Sequence, residues 1–372
     1  MSKQYRVVAL PGEGIGPEIM SVALLVLDCA ARLHNFSVQI NWALIGPPAL
    51  AACGSALPQE TGQLCRKSDG IVFGAVSQGG LLELRKQFDL FANLRLVRPS
   101  PFLFHCSPLK TEQLQNVDIL FVRELVSGIY FGPSGRGMDS NGEYGYHTMQ
   151  YYDWEIRRIA KVALRQAHYR RGLLTVAHKE NALPHIPWSQ LVAEEALMFP
   201  NVIVEYMLVD NLAMQLVMQP QHFDVILAGN LFGDILSDIG GALVGSVGLL
   251  GSASLNEDGF GLYEPIHGTA ADLAGKGIAN PLGMINSIVM MLQQWEEQAA
   301  ANLILQAQDQ LLSQGARYSI VIPGPAPTSL TSCSPLSRIF AAMRAKSPFS
   351  QRALLGFIDV SGFISTPVRL NE

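Results

Sequence analysis

The sequence predicts an α/β fold with a doubly wound parallel sheet. Short apolar runs such as YRVVALPG, DGIVFGAV and FDVILAGN indicate buried strands, and each ends in a glycine or polar turn. Segments of helical periodicity lie between such runs, among them PEIMSVALLVLDCAARLH and WEIRRIAKVALRQAHYRRG. Strands that alternate with helices form parallel sheets covered on both faces. With 372 residues, 49% of them apolar, the chain can fill such a core.

The length of the chain favours two domains over one. The glycine- and serine-rich segment GLLGSASL indicates that the chain returns to its first domain there. We therefore expect a discontinuous first domain, residues 1–90 and 244–345, and a second domain, residues 91–243. Residues 346–372 form a C-terminal extension of mixed composition, to which the sequence assigns no role.

Charge and cysteine usage argue against several classes of protein. A formal net charge of -5, without a run of lysine and arginine, argues against a nucleic-acid partner. The N-terminal residues lack the apolar core of a signal peptide, and no apolar run approaches the ~18 residues of a membrane span. Scattered cysteines without CxxC spacing indicate reduced thiols in a cytoplasmic protein. They are Cys29, Cys53, Cys65, Cys106 and Cys333.

Two aspartates, Asp234 and Asp238, lie four positions apart in the apolar segment NLFGDILSDIG. Helical spacing puts both carboxylates on one face, where they repel each other. The pair is a candidate magnesium site, because Mg²⁺ commonly binds one or two carboxylates and keeps several waters. Asp210, at another predicted strand end, is a third candidate ligand. The alternative is a solvated helix face, which the apolar flanking residues disfavour.

Three arginines are candidates for binding an anionic substrate. Arg85 and Arg95 lie in LELRKQFDLFANLR, and Arg123 follows the apolar run ILFV. Arginine suits carboxylates because its planar guanidinium can bind them with two hydrogen bonds. Tyr130 and Lys179 are candidate proton-transfer groups. A tyrosine between isoleucine and phenylalanine is more often part of a core, so Tyr130 is the weaker of the two by sequence alone.

Two glycine-rich loops are candidate cofactor sites. PGEGIGPE matches neither the dinucleotide fingerprint nor the P-loop. HGTAADLAGKGIANP carries an acid, Asp272. An acid near a ribose-binding loop selects NAD, because it accepts hydrogen bonds from ribose hydroxyls and repels the 2′-phosphate of NADP.

Eight ordered motifs together resemble the isocitrate/isopropylmalate family of β-decarboxylating dehydrogenases. They are LPGEGIGPE, LLELRKQFDLFANLR, VRELVSGIYFG, HKENAL, VDNLAMQL, NLFGDILSD, GSASL and YEPIHGTAADLAGKGIANP. The resemblance runs from about Tyr5 to Trp295 and more faintly to about Ala345. It implies the two-domain fold of that family, which is not the dinucleotide-binding Rossmann fold. It also implies NAD-dependent oxidative decarboxylation of a 3-substituted malate, most simply 3-isopropylmalate for leucine biosynthesis.

The resemblance implies a homodimer whose active sites are shared between subunits. The first domain would lie on the cofactor side, and the second would carry the dimer interface. Asp234 and Asp238, with Asp210 of the partner subunit, would hold Mg²⁺ or Mn²⁺. Lys179 of the partner subunit would take the proton of the substrate hydroxyl, and Tyr130 would protonate the enol that remains after decarboxylation.

The resemblance also implies how substrate and cofactor are bound. Arg85, Arg95 and Arg123 would hold the two malate carboxylates, together with the metal-binding Asp234. Leu81 and Leu82 would receive an isopropyl group. The implied cofactor residues are Asn181 on the nicotinamide side and Glu264, His267, Gly268, Asp272 and Asn280 on the adenosine side.

The chain departs from the family most clearly at residues 77–80. Only SQGG separates GAV from LLELRK, where the family usually has about a dozen more residues, and Gln78 replaces an acid that is common there. Glu13 stands where aspartate is usual. Two alternatives therefore stay open. One is a related dehydrogenase of D-malate, tartrate or another 3-substituted malate, and the other is a non-catalytic regulatory subunit.

Overall fold

The computed structural model describes residues 3–314 and Ile339. The strands in this part of the chain are β1 (Gln4–Gly12), β2 (Ser37–Trp42), β3 (Gly70–Ala75), β4 (Ala92–Val97), β5 (Ile119–Glu124), β6 (Ser134–Asp139), β7 (Gly142–His147), β8 (Leu173–His178), β9 (Ile203–Leu208), β10 (Val225–Ala228), β11 (Gly251–Leu255) and β12 (Gly261–Pro265). The predicted extension at residues 346–372 lies outside the described residues, as does Cys333.

Helices cover both faces of the main sheet, as its strand composition predicts. The α-helices are α1 (Gly16–Leu33), α2 (Pro47–Cys53), α3 (Gln59–Arg66), α4 (Leu81–Gln87), α5 (Thr111–Leu114), α6 (Asp153–Tyr169), α7 (Trp188–Ala196), α8 (Val209–Met218), α9 (Asn230–Leu243), α10 (Leu282–Gln294) and α11 (Gln298–Ser313). Short 3-10 helices span Pro101–Cys106, Gly128–Tyr130, Pro220–His222 and Val247–Leu249. In residues 3–314, none of the helices combines the length and the apolarity that a membrane crossing requires.

Ten strands form one sheet in the order β2-β1-β3-β12-β11-β4-β5-β10-β8-β9. The doubly wound sheet is confirmed: six of its neighbouring pairs are parallel. The three pairs that join β12, β11, β4 and β5 are antiparallel, which the sequence did not predict. A short connection between β11 and β12 explains one of them, because only antiparallel neighbours can be joined by so few residues.

Alternate side chains of β1 enter two different hydrophobic clusters. Val7 and Ala9 belong to the larger cluster, whereas Val8 and Leu10 belong to the smaller one. Successive side chains of a strand point to opposite faces, so both faces of this strand are buried. This double burial explains why its sequence is continuously apolar rather than alternating.

The carboxyl ends of β5, β10 and β8 lie together at one edge of the sheet, because these neighbouring strands are parallel. In open α/β sheets this edge is where ligands bind. Arg123 lies near the end of β5, α9 starts just beyond β10, and Lys179 follows β8. The fold thus gathers residues that are far apart in the sequence.

Candidate active site

Three buried arginines form the base of the site, and we call them the arginine cluster: Arg85, Arg95 and Arg123. Arg95 lies on β4 and Arg123 on the adjacent antiparallel strand β5, where Asn93 is the direct partner of Arg123. Because side chains two apart share a face, Arg95 projects beside Asn93 toward Arg123. Arg85 is supplied by the last turn of α4. A buried guanidinium requires anionic or polar partners, so this cluster must be compensated.

Asp234 supplies much of that compensation. Its Oδ1 atom accepts a hydrogen bond from Arg123 Nη1 at 2.5 Å and lies 3.4 Å from Arg95 Nη2. Asp238, one helical turn later, lies 3.4 Å from Arg95 Nη1. Guanidinium groups therefore offset the repulsion between the two aspartates, a role that the sequence led us to give to a bound cation. The two aspartates and two of the arginines form one charged cluster.

Burial changes the acid–base properties of the cluster without removing its charge. Desolvation lowers the pKa of Arg123 to about 10, and the neighbouring positive charges of Arg95 and Arg85 act in the same direction. Desolvation also lowers the pKa of Arg95. Both groups stay protonated at neutral pH, yet each is poorly solvated. An incoming carboxylate would relieve that cost.

Arg85 pairs with Glu264 on β12, whose Oε1 atom accepts a hydrogen bond from Arg85 Nη2 at 2.7 Å. Both side chains are buried. The Nε atom of Arg85 is also buried and has no hydrogen-bond partner among the described residues. An unused buried donor of this kind is costly unless a ligand satisfies it. Glu264, predicted to bind the cofactor, therefore lies directly against a predicted substrate residue.

Tyr130 ends a 3-10 turn and is half-exposed at the mouth of the cluster. Its hydroxyl donates a hydrogen bond to Asp234 Oδ2 at 3.2 Å, and its ring centre lies 5.9 Å from Arg123 Cζ. Desolvation raises the pKa of Tyr130, and the charge of Asp234 reinforces the shift. The phenol is therefore protonated at neutral pH and can donate a proton.

Lys179 and Asp210 pair with each other and not with the arginine cluster. Lys179 follows β8, and Asp210 lies in the first turn of α8; Lys179 Nζ lies 2.8 Å from Asp210 Oδ2. The hydrogen bond from Lys179 lowers the pKa of Asp210. Among the described residues, no ion pair or hydrogen bond joins this couple to the arginine cluster or to Asp234.

Within a single chain the metal site has only part of its predicted ligands. Asp234 and Asp238 lie together, but residues 3–314 contain no group of three histidine, cysteine or acidic side chains placed to hold an ion. The two carboxylates fit Mg²⁺ or Mn²⁺, which accept one or two carboxylates together with water and substrate oxygens. The third predicted ligand, Asp210, is not part of this pair within one chain.

The loop at residues 266–280, where the sequence predicts cofactor binding, has unsatisfied polar atoms. His267 Nδ1 donates to the carbonyl oxygen of Gly268 at 2.9 Å, while His267 Nε2 and Asn280 Nδ2 are buried without partners in the described part of the chain. Desolvation lowers the pKa of His267, so the ring is neutral and Nε2 can accept a hydrogen bond. A Cβ atom added at Gly268 would meet nothing within 4 Å. These atoms fit a nucleotide.

The remaining predicted cofactor and substrate residues are wholly or partly accessible to solvent. Asp272 and Asn181 are exposed. Leu81 is half-buried against the smaller hydrophobic cluster, whereas Leu82 is 44% exposed at the start of α4. Leu82 lies one helical turn before the buried Arg85, so an apolar group bound near Arg85 would cover it.

The short turn at residues 77–80 is anchored to the body of the protein at both ends. Glu13 Oε1 accepts a hydrogen bond from the backbone N–H of Ser77 at 2.7 Å. Gly79 and Gly80 have φ values of +69° and +83°, which favour glycine. A Cβ atom at Gly80 would lie 2.7 Å from the side chain of Ile45. The turn therefore leaves the rim next to Leu82 uncovered.

Several residues that the sequence patterns did not single out hold the cluster in place. Asn230, the first residue of α9, accepts hydrogen bonds from Arg123 Nε and Nη2 at 3.2 and 2.7 Å. Asn93 Oδ1 accepts from Arg95 Nε at 2.9 Å, and Ser237 Oγ accepts from Arg95 Nη1 at 2.7 Å. The two-residue spacing of Asn93 and Arg95 on a strand was a usable signal, since it puts both on one face.

Comparisons with known proteins identify the family of the chain. Residues 6–319 match the family model described as isocitrate/isopropylmalate dehydrogenase. The chain is 44% identical to the 3-isopropylmalate dehydrogenase of Aquifex aeolicus, over 85% of this chain and 91% of that protein. It is 46% identical to the 3-isopropylmalate dehydrogenase of Pseudoalteromonas translucida, over 79% of this chain and 87% of that protein.

Solved structures of similar proteins cover nearly all of the chain. An isocitrate dehydrogenase from Methylococcus capsulatus superposes with a TM-score of 0.77 at 29% identity, over 92% of this chain and all of that one. A β-decarboxylating dehydrogenase from Thermococcus kodakarensis, in its apo form, gives a TM-score of 0.71 at 31% identity, over 96% and 98% of the two chains. The chain belongs to the isocitrate/isopropylmalate dehydrogenase family.

Proposed function

We propose that this chain oxidises and decarboxylates a 3-substituted malate with NAD, and that 3-isopropylmalate, converted to 4-methyl-2-oxopentanoate and CO₂, is its substrate. The pathway served would be leucine biosynthesis, in the cytoplasm. One observation carries the proposal: the buried arginine cluster faces Asp234, which also binds Tyr130. The 3-isopropylmalate dehydrogenases at 44–46% identity support the choice of substrate.

The arginine cluster would bind the two carboxylates of the substrate. Its three guanidinium groups already face the carboxylates of Asp234, Asp238 and Glu264. A dicarboxylate and a divalent cation bring equal and opposite charge, so the pair can enter together without unbalancing the site. The free Nε atom of Arg85 is the donor that is open for a carboxylate oxygen.

Asp234, Asp238 and the partner subunit's Asp210 would hold Mg²⁺ or Mn²⁺. When bound, such an ion supplies Lewis acidity to the substrate oxygens. Tyr130 is placed to donate its hydroxyl proton beside Asp234, and the partner subunit's Lys179 would accept the proton of the substrate hydroxyl. Each positioned acid or base of this type contributes roughly 10² to 10⁴ in rate.

Several exposed features support a homodimer. The hairpin β6–β7 forms a two-stranded sheet by itself and is exposed along nearly its whole length. Met214 and Met218 on α8 and Ile235 on α9 are each at least half exposed. Exposed apolar side chains on two adjacent helices, α8 and α9, favour a subunit contact.

We also propose that the chain forms two domains, residues 1–90 with 244–345 and residues 91–243. Strands β2, β1, β3, β12 and β11 come from residues 1–90 and 244–345 and occupy one end of the sheet. Strands β4, β5, β10, β8 and β9 come from residues 91–243 and occupy the other. In the arginine cluster, Arg85 belongs to residues 1–90, whereas Arg95 and Arg123 belong to residues 91–243.

NAD would accept the hydride from the substrate carbon. Glu264, His267, Gly268, Asp272 and Asn280 would bind its adenosine side, and Asn181 its nicotinamide side. We expect Asp272→Ala to lower the preference for NAD over NADP, measured as the ratio of kcat/KM values, about tenfold, because a carboxylate next to the ribose repels a 2′-phosphate. The matched control is Glu257→Ala, an exposed acid on another loop. An unchanged ratio in Asp272→Ala would contradict the assignment.

The uncovered rim beside Leu82 favours a second candidate, a related dehydrogenase of a differently substituted malate. A hydrophobic pocket discriminates one methylene by only about 1 to 3 kcal/mol, so substrate choice has to be measured. NADH production with Mg²⁺ or Mn²⁺ should be compared for 3-isopropylmalate, a 3-benzyl-substituted malate, D-malate, tartrate and isocitrate. We expect the highest kcat/KM with 3-isopropylmalate. A higher value with another malate selects the second candidate, and no turnover with any of them favours a regulatory subunit.

A further inference from the structure

Glu124 is a buried acid that the proposed chemistry does not use. It ends β5, directly after Arg123, and its side chain is fully buried. Its Oε1 atom accepts a hydrogen bond from the backbone N–H of Val126 at 3.1 Å, and its Oε2 atom accepts one from Ser127 at 3.0 Å. No ion pair involves Glu124 in residues 3–314. A buried carboxylate without a cation is rare enough to need a reason.

The segment that Glu124 holds leads straight to Tyr130. After Ser127 the backbone turns at Gly128, where φ is +74° and a Cβ atom would lie 2.3 Å from Tyr151 Oη. The N–H of Gly128 donates to the carbonyl of Gln150 at 3.0 Å. The path of this turn is therefore tightly determined, and Tyr130 lies two residues further on.

The same turn is connected to Arg123 through Asn230. The carbonyl oxygen of Ser127 accepts a hydrogen bond from Asn230 Nδ2 at 2.9 Å. Asn230 Oδ1 accepts from two nitrogens of Arg123, and its backbone N–H donates to Tyr151 Oη at 2.8 Å. Asn230 thus occupies Nε and one N–H of Nη2, while Arg123 Nη1 is the nitrogen that donates to Asp234. The orientation of the guanidinium thus depends on the turn.

We propose that Glu124 is a positioning residue: its carboxylate shapes the 125–130 turn, which places Tyr130 and, through Asn230, orients Arg123 toward the substrate. The turnover part of this inference rests on the proposed function. The anion-binding part does not, because it concerns the arginine cluster alone.

A purely structural role for Glu124 would make a different prediction. Desolvation raises the pKa of Glu124 from 4.5 to about 7; its two backbone hydrogen bonds oppose the shift, as does Arg158, while Glu155 adds to it. Tyr151 also faces this carboxylate, whereas Arg123, the preceding residue of β5, projects from the opposite face of the strand. Because the folded-state pKa is raised, the stabilising contribution of the protonated form is complete below about pH 4.5 and is lost as the pH rises through 7. At pH 8 the carboxylate is ionised, and this buried charge stabilises the fold less than the protonated form does. A residue kept for stability alone could therefore be replaced by a neutral one at little cost.

The test compares Glu124→Gln with the wild type at about pH 8. Glutamine keeps the shape but replaces one hydrogen-bond acceptor by a donor, which cannot bind a backbone N–H. We expect KM to rise and kcat to fall by about tenfold each, while the melting temperature stays within about 3 °C of the wild type. We also expect wild-type kcat/KM to fall between about pH 8 and pH 6 more steeply than that of the variant.

Two further proteins keep the test decisive. Glu155→Gln removes a neighbouring buried acid that binds the N–H of Tyr152 instead, and it should leave KM unchanged. Asn230→Ala removes the hydrogen bonds that link the 125–130 turn to Arg123. It should therefore weaken substrate binding as Glu124→Gln does. Unchanged kinetics in Glu124→Gln, or equal losses in both glutamine variants accompanied by lower melting temperatures, would overturn the inference.

Malonate, a plain dicarboxylate, separates this inference from the proposed function. Calorimetric titration measures its binding to the arginine cluster without any turnover. We expect malonate affinity to fall about tenfold in Glu124→Gln and Asn230→Ala but not in Glu155→Gln. Equal affinity in all four proteins would refute the positioning role. Absence of turnover in the wild type, with the malonate differences present, would refute the proposed function alone.

Discussion

Replacing Asp234 by asparagine will lower metal-dependent turnover by about a thousandfold or more, equivalent to about 4 kcal/mol of transition-state stabilisation. The carboxylate of Asp234 touches Arg123, Arg95 and Tyr130, so it is the point where the charged groups of the site meet. An amide is a poorer ligand for a hard cation and carries no charge to balance two buried guanidinium groups. NADH production across a range of Mn²⁺ concentrations measures the effect.

A binding measurement shows whether the loss comes from the metal. Calorimetric titration with Mn²⁺ and 3-isopropylmalate should give much weaker binding of the ion in Asp234→Asn. The control is Asp258→Asn, an exposed aspartate in the loop between β11 and β12, which should behave as the wild type. Normal Mn²⁺-dependent turnover in Asp234→Asn would remove the metal assignment.

The periodic parts of the fold could be predicted because their signal is local. The apolar runs that became β1, β3, β5 and β10 are buried on both faces, and that burial is visible as continuous hydrophobicity. The hairpin β6–β7 could not be predicted in this way. Its residues are exposed and rich in glycine, so no alternation of apolar and polar side chains marks it.

Partners within the site were predictable only where they lie close in sequence. Asp234 and Asp238 are one turn apart, so their shared face followed from helical spacing. The contact between Arg85 and Glu264 joins residues 179 positions apart and depends on how β12 inserts beside β3. No local pattern contains that information. The resemblance to the family placed both residues in the site but in different subsites.

The contact between Lys179 and Asp210 has a consequence for how the active site is assembled. Both side chains are accessible to solvent and bind each other, not the Asp234 cluster of their own chain. In a dimer with two-fold symmetry each subunit presents the same surface to the other. If the pair acts in the partner's site, every site needs two chains, and a monomer will be inactive.

Mixed dimers test that arrangement with a large expected effect. Lys179→Ala and Asp234→Asn subunits should each be nearly inactive as homodimers. Co-expressed with different affinity tags and purified as a heterodimer, they should recover about half of the wild-type turnover per dimer, because one site then carries both substitutions and the other carries neither. The matched control is a heterodimer of Asp234→Asn with Arg123→Ala, which should stay inactive, since these two residues belong to the same chain's part of the site. Recovery in neither heterodimer would show that Lys179 acts within its own chain.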